Sequence, residues 1–255
     1  MSARFDSYVL CTSPRSGSTL LCNLLAKTGA AGLPDSHFHE PSLVSWMTDH
    51  GIAATKGESE RALLERVFKA AIAEGSGTTG MFGLRLQRHS FAFFMDKLGV
   101  LYPGRATDRD RLEAAFGSTA FLYLTRRDKG AQAVSYVKAQ QTGLWHVAPD
   151  GTELERLSQP QEPVYDGARI ATVVAEMTAY DHDWRAWFAA QNIEPLEILY
   201  ESFSAGPVAS LATVLDHLGV DRDVARGVEP GVAKLSDGIS RSWVERFRSE
   251  QERES

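Results

Sequence analysis

Apolar residues in this chain fall into two patterns, short unbroken runs and stripes at helical spacing. Tyr8-Val9-Leu10-Cys11 is a short run and predicts a buried strand. The turn-forming stretch Thr12-Ser13-Pro14-Arg15-Ser16-Gly17-Ser18-Thr19 follows it. Leu20, Leu21, Leu24 and Leu25 then recur at helical spacing, and Gly29 marks the stop. Leu33 to Glu40 carries a proline, an aspartate and two histidines, and reads as a loop. Ser59 to Glu74 predicts a helix with Leu63, Val67 and Ala70 on one face and Gly75 as its cap. Met81 to Leu86 predicts a second strand. Ala120-Phe121-Leu122-Tyr123-Leu124 is the clearest strand, an unbroken run of the kind a parallel sheet buries on both faces. It runs into Thr125-Arg126-Arg127-Asp128, and Asp128 can cap a helix carrying Ala133, Val134, Val137 and Ala139.

Val147 to Pro163 holds three prolines and little periodicity, and predicts a mobile loop. Asp166 to Asn192 predicts a long helix with the stripe Ile170, Val173, Val174, Met177, Trp184, Trp187 and Phe188. Leu196 to Tyr200 predicts a strand, Val208 to Leu218 a helix ended by Gly219, and the charged tail from Arg241 another helix. Strands and helices alternate without a clear linker. The expected fold is therefore α/β, a P-loop-like three-layer α/β/α arrangement around a mainly parallel sheet, with residues 1–255 as one domain.

Composition narrows the classes. The chain is 43% hydrophobic and 24% charged, which excludes a largely disordered protein. Lys and Arg number 27 against 33 Asp and Glu, a net charge of −6, which speaks against a general nucleic-acid binder. No apolar run reaches the ~18 residues of a membrane span. Two cysteines, Cys11 and Cys22, cannot build a disulfide framework, and Met1-Ser2-Ala3-Arg4 opens no secretory signal. The expected setting is cytoplasmic.

Chemistry concentrates in the turn after the first strand. A strand, a small-residue turn and a helix N-terminus together form an anion site, because backbone N–H groups and the helix dipole point at the same spot. Gly17 allows close backbone approach, Ser16, Ser18 and Thr19 add hydroxyls, and Arg15 adds a planar cationic fork. A plain Ser-capped turn has the same outline. The nucleoside-triphosphate loop, Gly-x-x-x-x-Gly-Lys-Ser/Thr, is not matched, since its spacing and its lysine are both missing. Only one of the three glycines of a dinucleotide fingerprint is present.

Pro14-Arg15-Ser16-Gly17-Ser18-Thr19 does resemble the 5′-phosphosulfate loop of sulfotransferases, Pro-Lys/Arg-Ser-Gly-Ser/Thr-Thr. Arg126-Arg127-Asp128 with Ala133-Val134-Ser135 resembles the family's second motif, Arg-x-Asp followed by Ala-x-Ser. Further stretches are similar to the bacterial family of carbohydrate and glycolipid sulfotransferases. They are Ser13 to Gly32, Gly80 to Leu86, Ala139 to Thr142 with Trp145, Trp184 to Phe188 with Glu194-Pro195, and Trp243 to Arg248. The resemblance implies 3′-phosphoadenosine-5′-phosphosulfate (PAPS) as sulfuryl donor and PAP as product. It implies that Pro14 to Thr19 hold the 5′ end, and that Arg126 and Ser135 hold the 3′-phosphate. It implies a saccharide or glycolipid acceptor, no metal, and a fold shared with enzymes that form homodimers.

The chain departs from the family at the base. The resemblance implies a carboxylate base at the position where Ser36 stands here. Asp35, His37, His39 and Glu40 are its neighbours, with His37, Asp35 and Glu40 the foremost choices for proton removal. The same group could be a solvated loop, and His37-x-His39 is a weak metal signal. Arg85, Gln87 and Trp145 are expected at the acceptor. Trp46 and Trp145 could each stack on a sugar or pack in the core. Lys234 and the stretch from Arg241 to Arg248 could add positive charge. Two other readings share the architecture, a P-loop-type small-molecule kinase and a PAPS- or PAP-binding protein without catalysis.

Overall fold

The computed structural model describes residues 4–254 apart from 234 and 236. In chain order its elements are β1 (Ser7–Thr12), α1 (Ser18–Lys27), α2 (Leu43–Asp49), α3 (Glu60–Ser76), β2 (Phe82–Gln87), α4 (Arg88–Leu101), α5 (Asp108–Phe116) and β3 (Thr119–Thr125). There follow α6 (Lys129–Thr142), β4 (Leu144–Val147), β5 (Glu153–Arg156), α7 (Gly167–Ala190), β6 (Leu196–Leu199), α8 (Tyr200–Ala205), α9 (Pro207–Leu218), a 3-10 turn (Arg222–Gly227) and α10 (Gly238–Glu254).

The main sheet has the order β2-β1-β3-β6, and every pair in it is parallel. β1 and β3 are buried along their whole length, which is why both read as unbroken apolar runs. Their alternate residues feed opposite layers. Val9, Cys11, Phe121 and Tyr123 pack with residues of α3, α4, α5 and α7. Tyr8, Leu10, Leu122 and Leu124 pack with α1 and α9. The fold is therefore α/β, a parallel sheet with helices on both faces. A third cluster joins α6, α7 and α10 through Val134, Ile170, Val173 and Trp243.

Strand order decides where a ligand can sit. β1 is paired on one side with β2 and on the other with β3, so the chain leaves the sheet in opposite directions from these neighbours. The crevice at such a switch point, beyond the C-terminal ends of the strands, is where open α/β sheets bind ligands. The turns after β1 and β3 border it. Thr12 and Leu124 are register partners at that end, and Thr12 Oγ1 donates to the Leu124 carbonyl at 3.0 Å.

Several expected elements shift. α3 runs past Glu74 to Ser76 and is capped by Gly77. Gly75 lies inside it, where a Cβ would come within 2.5 Å of the Phe82 ring. The buried face of α3 is Leu64, Val67, Phe68 and Ala71, one step round from the expected Leu63 and Ala70, because Phe68 takes the contact with the aromatic core. Val147 to Pro163 is not all loop. Residues 153–156 fold back antiparallel on 144–147, turning at Asp150-Gly151 with Gly151 at φ 87°. Residues 43–49, 88–101 and 108–116 form helices to which the hydrophobic pattern assigned no element. Among the described residues no helix is long and apolar enough to cross a membrane. Cys11 and Cys22 are both buried free thiols.

Trp46 belongs to the core. It is fully buried, edge-on to Phe38 at 4.9 Å, and its Nε1 donates to the Glu40 carbonyl at 2.6 Å. Trp46→Ala is therefore expected to cost about 3–5 kcal/mol in urea unfolding. A loss below about 1 kcal/mol would show the ring is not packed as described.

Candidate functional site

The turn after β1 is held in an unusual backbone shape. Arg15 has φ 60° and Gly17 has φ 92°. A side chain at Gly17 would be strained by that φ, and its Cβ would lie 2.7 Å from the Tyr200 ring. The turn is tied down from behind. Trp184 Nε1 donates to the Thr12 carbonyl at 2.9 Å, and Gln132 Nε2 donates to the Pro14 carbonyl at 2.7 Å and to Ser13 Oγ at 3.1 Å. Ser16 is fully buried and its hydroxyl pairs with Thr12 Oγ1 at 2.5 Å, so its side chain serves the turn rather than the cavity. Gly17 is the N-cap of α1, with Ser18 and Thr19 as its first two residues. The helix therefore presents unpaired N–H groups at this point.

Arg126, at the tip of β3, lies alongside. Its Nη1 donates to the Arg15 carbonyl at 3.5 Å, and its guanidinium sits 4.5 Å from the centre of the Tyr200 ring. Its Nε is buried with no hydrogen-bond partner. Arg15 turns its own side chain toward α6 and β4, donating from Nε to Ser135 Oγ at 3.0 Å and from Nη1 to the Trp145 carbonyl at 2.7 Å. The turn after β1, Arg126 and Ser135 thus form one continuous patch. Burial pushes the Arg15 guanidinium down to about 10, and the neighbouring Arg126 charge pushes the same way. Burial also lowers Arg126. Glu201 steadies this corner by accepting from the Arg127 and Asp128 amides at 3.1 and 3.2 Å. Burial works against its charge, but these amide bonds outweigh burial and hold its carboxyl below the usual range.

A cavity of about 900 Å³ opens from this patch. Arg85, on β2, organises its other side. It donates from Nε to Ser36 Oγ at 2.7 Å, from Nη1 to Thr19 Oγ1 at 2.8 Å and from Nη2 to Asp35 Oδ1 at 3.1 Å. Gln87 ends β2 at the cavity, and its Oε1 is buried without a partner. Trp145 lines the cavity edge-on to Tyr136, with the Arg15 guanidinium 6.0 Å from its ring centre. His39 and Glu40 also line it, 3.7 Å apart, with the His89 ring edge-on to His39 at 5.2 Å. α10 closes one flank with Arg241 and Arg248, the latter paired to Asp128 at 2.7 Å.

The structure therefore brings together Pro14, Arg15, Gly17, Ser18, Thr19, Arg85, Gln87, Arg126, Ser135, Trp145, Ser36, His39 and Glu40 around one cavity. Asp35 is largely exposed and spent on Arg85. His37 faces elsewhere, packed on Phe82 and beside His50. Lys234 lies outside the described residues. Tyr200, His146, Glu155 and His89 also line the cavity and were missed. Tyr200 carried a usable signal, since it follows a strand at the ligand-binding edge of the sheet. His146 and Glu155 carried none, because they reach the cavity only through the β4–β5 hairpin.

A family model described as Stf0 sulphotransferase matches residues 7–250. The trehalose 2-sulfotransferase of Mycobacterium tuberculosis (strain ATCC 35801 / TMC 107 / Erdman) is 28% identical over 271 residues, covering 99% of this chain and 98% of its own. The trehalose 2-sulfotransferase of Mycolicibacterium smegmatis (strain ATCC 700084 / mc(2)155) is 28% identical over 274 residues, covering 100% of this chain and 98% of its own. Among solved structures, a sulfotransferase from Alicyclobacillus acidocaldarius aligns with TM-score 0.43 at 16% identity, covering 97% of this chain and 92% of that one.

The charge of the patch has a measurable consequence at His146. Burial first, then Arg15 and Arg85, push its imidazole down from 6.5 to about 4. Between those two values the unfolded chain binds a proton that the folded chain does not, so stability rises with pH. The contribution is complete above 6.5 and lost as pH falls toward 4, at up to about 1.4 kcal/mol per pH unit. The difference in urea-unfolding free energy between wild type and His146→Gln is expected to slope over that window and to flatten above it. An NMR titration that placed His146 near 6.5 would show that the cationic patch does not reach the ring.

Proposed function

Because the chain belongs to the Stf0 sulphotransferase family, we propose that this sulfotransferase takes PAPS as donor and a saccharide or glycolipid hydroxyl as acceptor. Residues 1–255 act in this reading as one sulfotransferase domain. The observation that carries the donor assignment is Arg126, whose Nε is buried without a partner beside the loop that holds Arg15. An unpaired buried N–H costs about 1–3 kcal/mol, and a phosphate oxygen is the acceptor a guanidinium fork fits best. The lysine-free loop and the second arginine suit a bisphosphorylated nucleotide better than a triphosphate.

Arg126 and Ser135 would hold the 3′-phosphate. The amides of residues 16–19, with Arg15, Ser18 and Thr19, would hold the 5′ end. Bound PAPS supplies the sulfuryl group and leaves as PAP. Charge develops on the 5′-phosphate oxygen as the S–O bond breaks, and Arg15 with the loop amides meets it in a partly desolvated place. The acceptor oxygen forms the new bond to sulfur, and its proton passes to a base. Glu40 is that base in our reading, because it is the carboxylate of the 33–40 loop that lines the cavity. Ser36 and Asp35 instead fix Arg85, which orients the acceptor together with Gln87. Trp145 offers an aromatic face to a sugar ring. The relatives named trehalose 2-sulfotransferase support a saccharide class of acceptor.

Calorimetry with PAP and AMP tests the donor site. PAP is expected to bind wild type far more tightly than AMP, and Arg126→Ala to weaken PAP by about 10- to 100-fold while leaving AMP unchanged. Equal affinities in wild type would overturn the 3′-phosphate assignment. In transfer assays with labelled PAPS and a saccharide panel, Arg15→Ala is expected to lower kcat by about 100- to 1,000-fold. Glu40→Gln should lower it by about 100-fold or more. An unchanged kcat in Glu40→Gln moves the base elsewhere, and PAP binding without transfer to any saccharide removes the acceptor class.

A further inference from the structure

Three metal-ligating side chains that the reaction does not use meet beneath the acceptor loop. His37 belongs to that loop, His50 is the C-cap of α2, and Glu74 stands in the last turn of α3. One ligand atom from each lies within 4.8 Å of the others. The His37 and His50 side chains are only 8% and 2% exposed, whereas Glu74 is 55% exposed. The cluster is therefore walled on the protein side and open on one side to solvent.

The hydrogen bonding of His50 shows what is missing. Its Nε2 lies 2.9 Å from the His37 carbonyl, which can only accept. Nε2 must therefore carry a proton, and in the neutral ring Nδ1 has a lone pair. That Nδ1 lies 2.9 Å from Glu74 Oε2, a second acceptor. Two lone pairs facing each other call for a cation between them. A proton would serve two atoms only. His37 Nδ1 is a third donor, 3.8 Å from the same Oε2.

The distances suit a metal ion. Two ligands on a tetrahedral zinc, each about 2.0–2.1 Å from it, stand about 3.3 Å apart, and the observed 2.9 and 3.8 Å bracket that value. A ring N–H donated to a backbone carbonyl is the usual means of orienting a metal-bound histidine, and His50 makes that bond to His37 itself. Glu74 lies at a helix C-terminus, where the dipole disfavours a carboxylate and favours a cation. Its ion pairs among the described residues are with these two histidines alone.

We propose that His37, His50 and Glu74 form a site for a divalent metal ion of the zinc class, with water as the fourth ligand, which staples the acceptor loop to α2 and α3. The site is structural and lies apart from sulfuryl transfer. Its effect is to fix the loop that carries Ser36, His39 and Glu40.

Chelator-stripped full-length protein titrated with Zn²⁺ against a chromogenic chelator tests the proposal. One ion per chain is expected, with a rise in melting temperature, and Co²⁺ should give the visible absorption of a tetrahedral site. His50→Ala should weaken binding by about 100-fold or more, and Glu74→Gln, at an exposed position that tolerates change, by about 10-fold or more. His39→Ala should leave affinity unchanged, since the cavity histidines are a separate cluster. No stoichiometric binding by wild type would overturn the proposal. Binding lost in His39→Ala but kept in Glu74→Gln would overturn it equally.

Discussion

Two guanidinium groups held side by side at the edge of the sheet are the constraint around which the site is built. The Arg126 guanidinium donates to the backbone carbonyl of Arg15, beyond the paired ends of β1 and β3. Burial and mutual repulsion both disfavour this arrangement, and the Arg15 side chain feels both. A protein of net charge −6 does not gather cations in such a place through its average field. Packing of the paired strands β1 and β3 holds them together.

The surrounding residues follow from that constraint. Tyr200 lies under the Arg126 guanidinium and against Gly17, filling the space a larger residue at position 17 would need. Glu201 places one negative charge behind the patch, on the Arg127 and Asp128 amides, where it offsets the cations without entering the crevice. Gln132 and Trp184 hold the loop by its carbonyls, which leaves its N–H groups toward the helix end. The effect extends to His146, whose imidazole is pushed down first by burial and then by the Arg15 and Arg85 charges.

The other side of the cavity obeys a different logic. Arg85 reaches the turn after β1 through Thr19 and the 33–40 loop through Ser36 and Asp35. One side chain thereby couples the two halves of the cavity. The 33–40 loop is held again from below, where His37 and His50 meet Glu74. A loop fixed at both levels can present His39 and Glu40 at a constant height.

Elements whose information is local could be read directly from residue order. β1 and β3 announce themselves as apolar runs because both of their faces are covered, and Asp128 announces α6 because an N-cap bond spans three residues. The turn after β1 and the position of Arg126 could be placed for the same reason, as each is a short motif attached to a strand end. Three facts were not legible, because each depends on contacts between residues far apart in the chain. Arg15 and Arg126 share one patch only because β1 pairs with β3. His37 leaves the cavity only because Phe82, on β2, packs against its ring. His146 and Glu155 enter the cavity only because residues 153–156 return on 144–147 in a segment whose prolines read as loop. Spacing along the chain encodes local conformation, whereas the meeting of distant side chains is set by strand pairing and burial, and only the folded sheet supplies those.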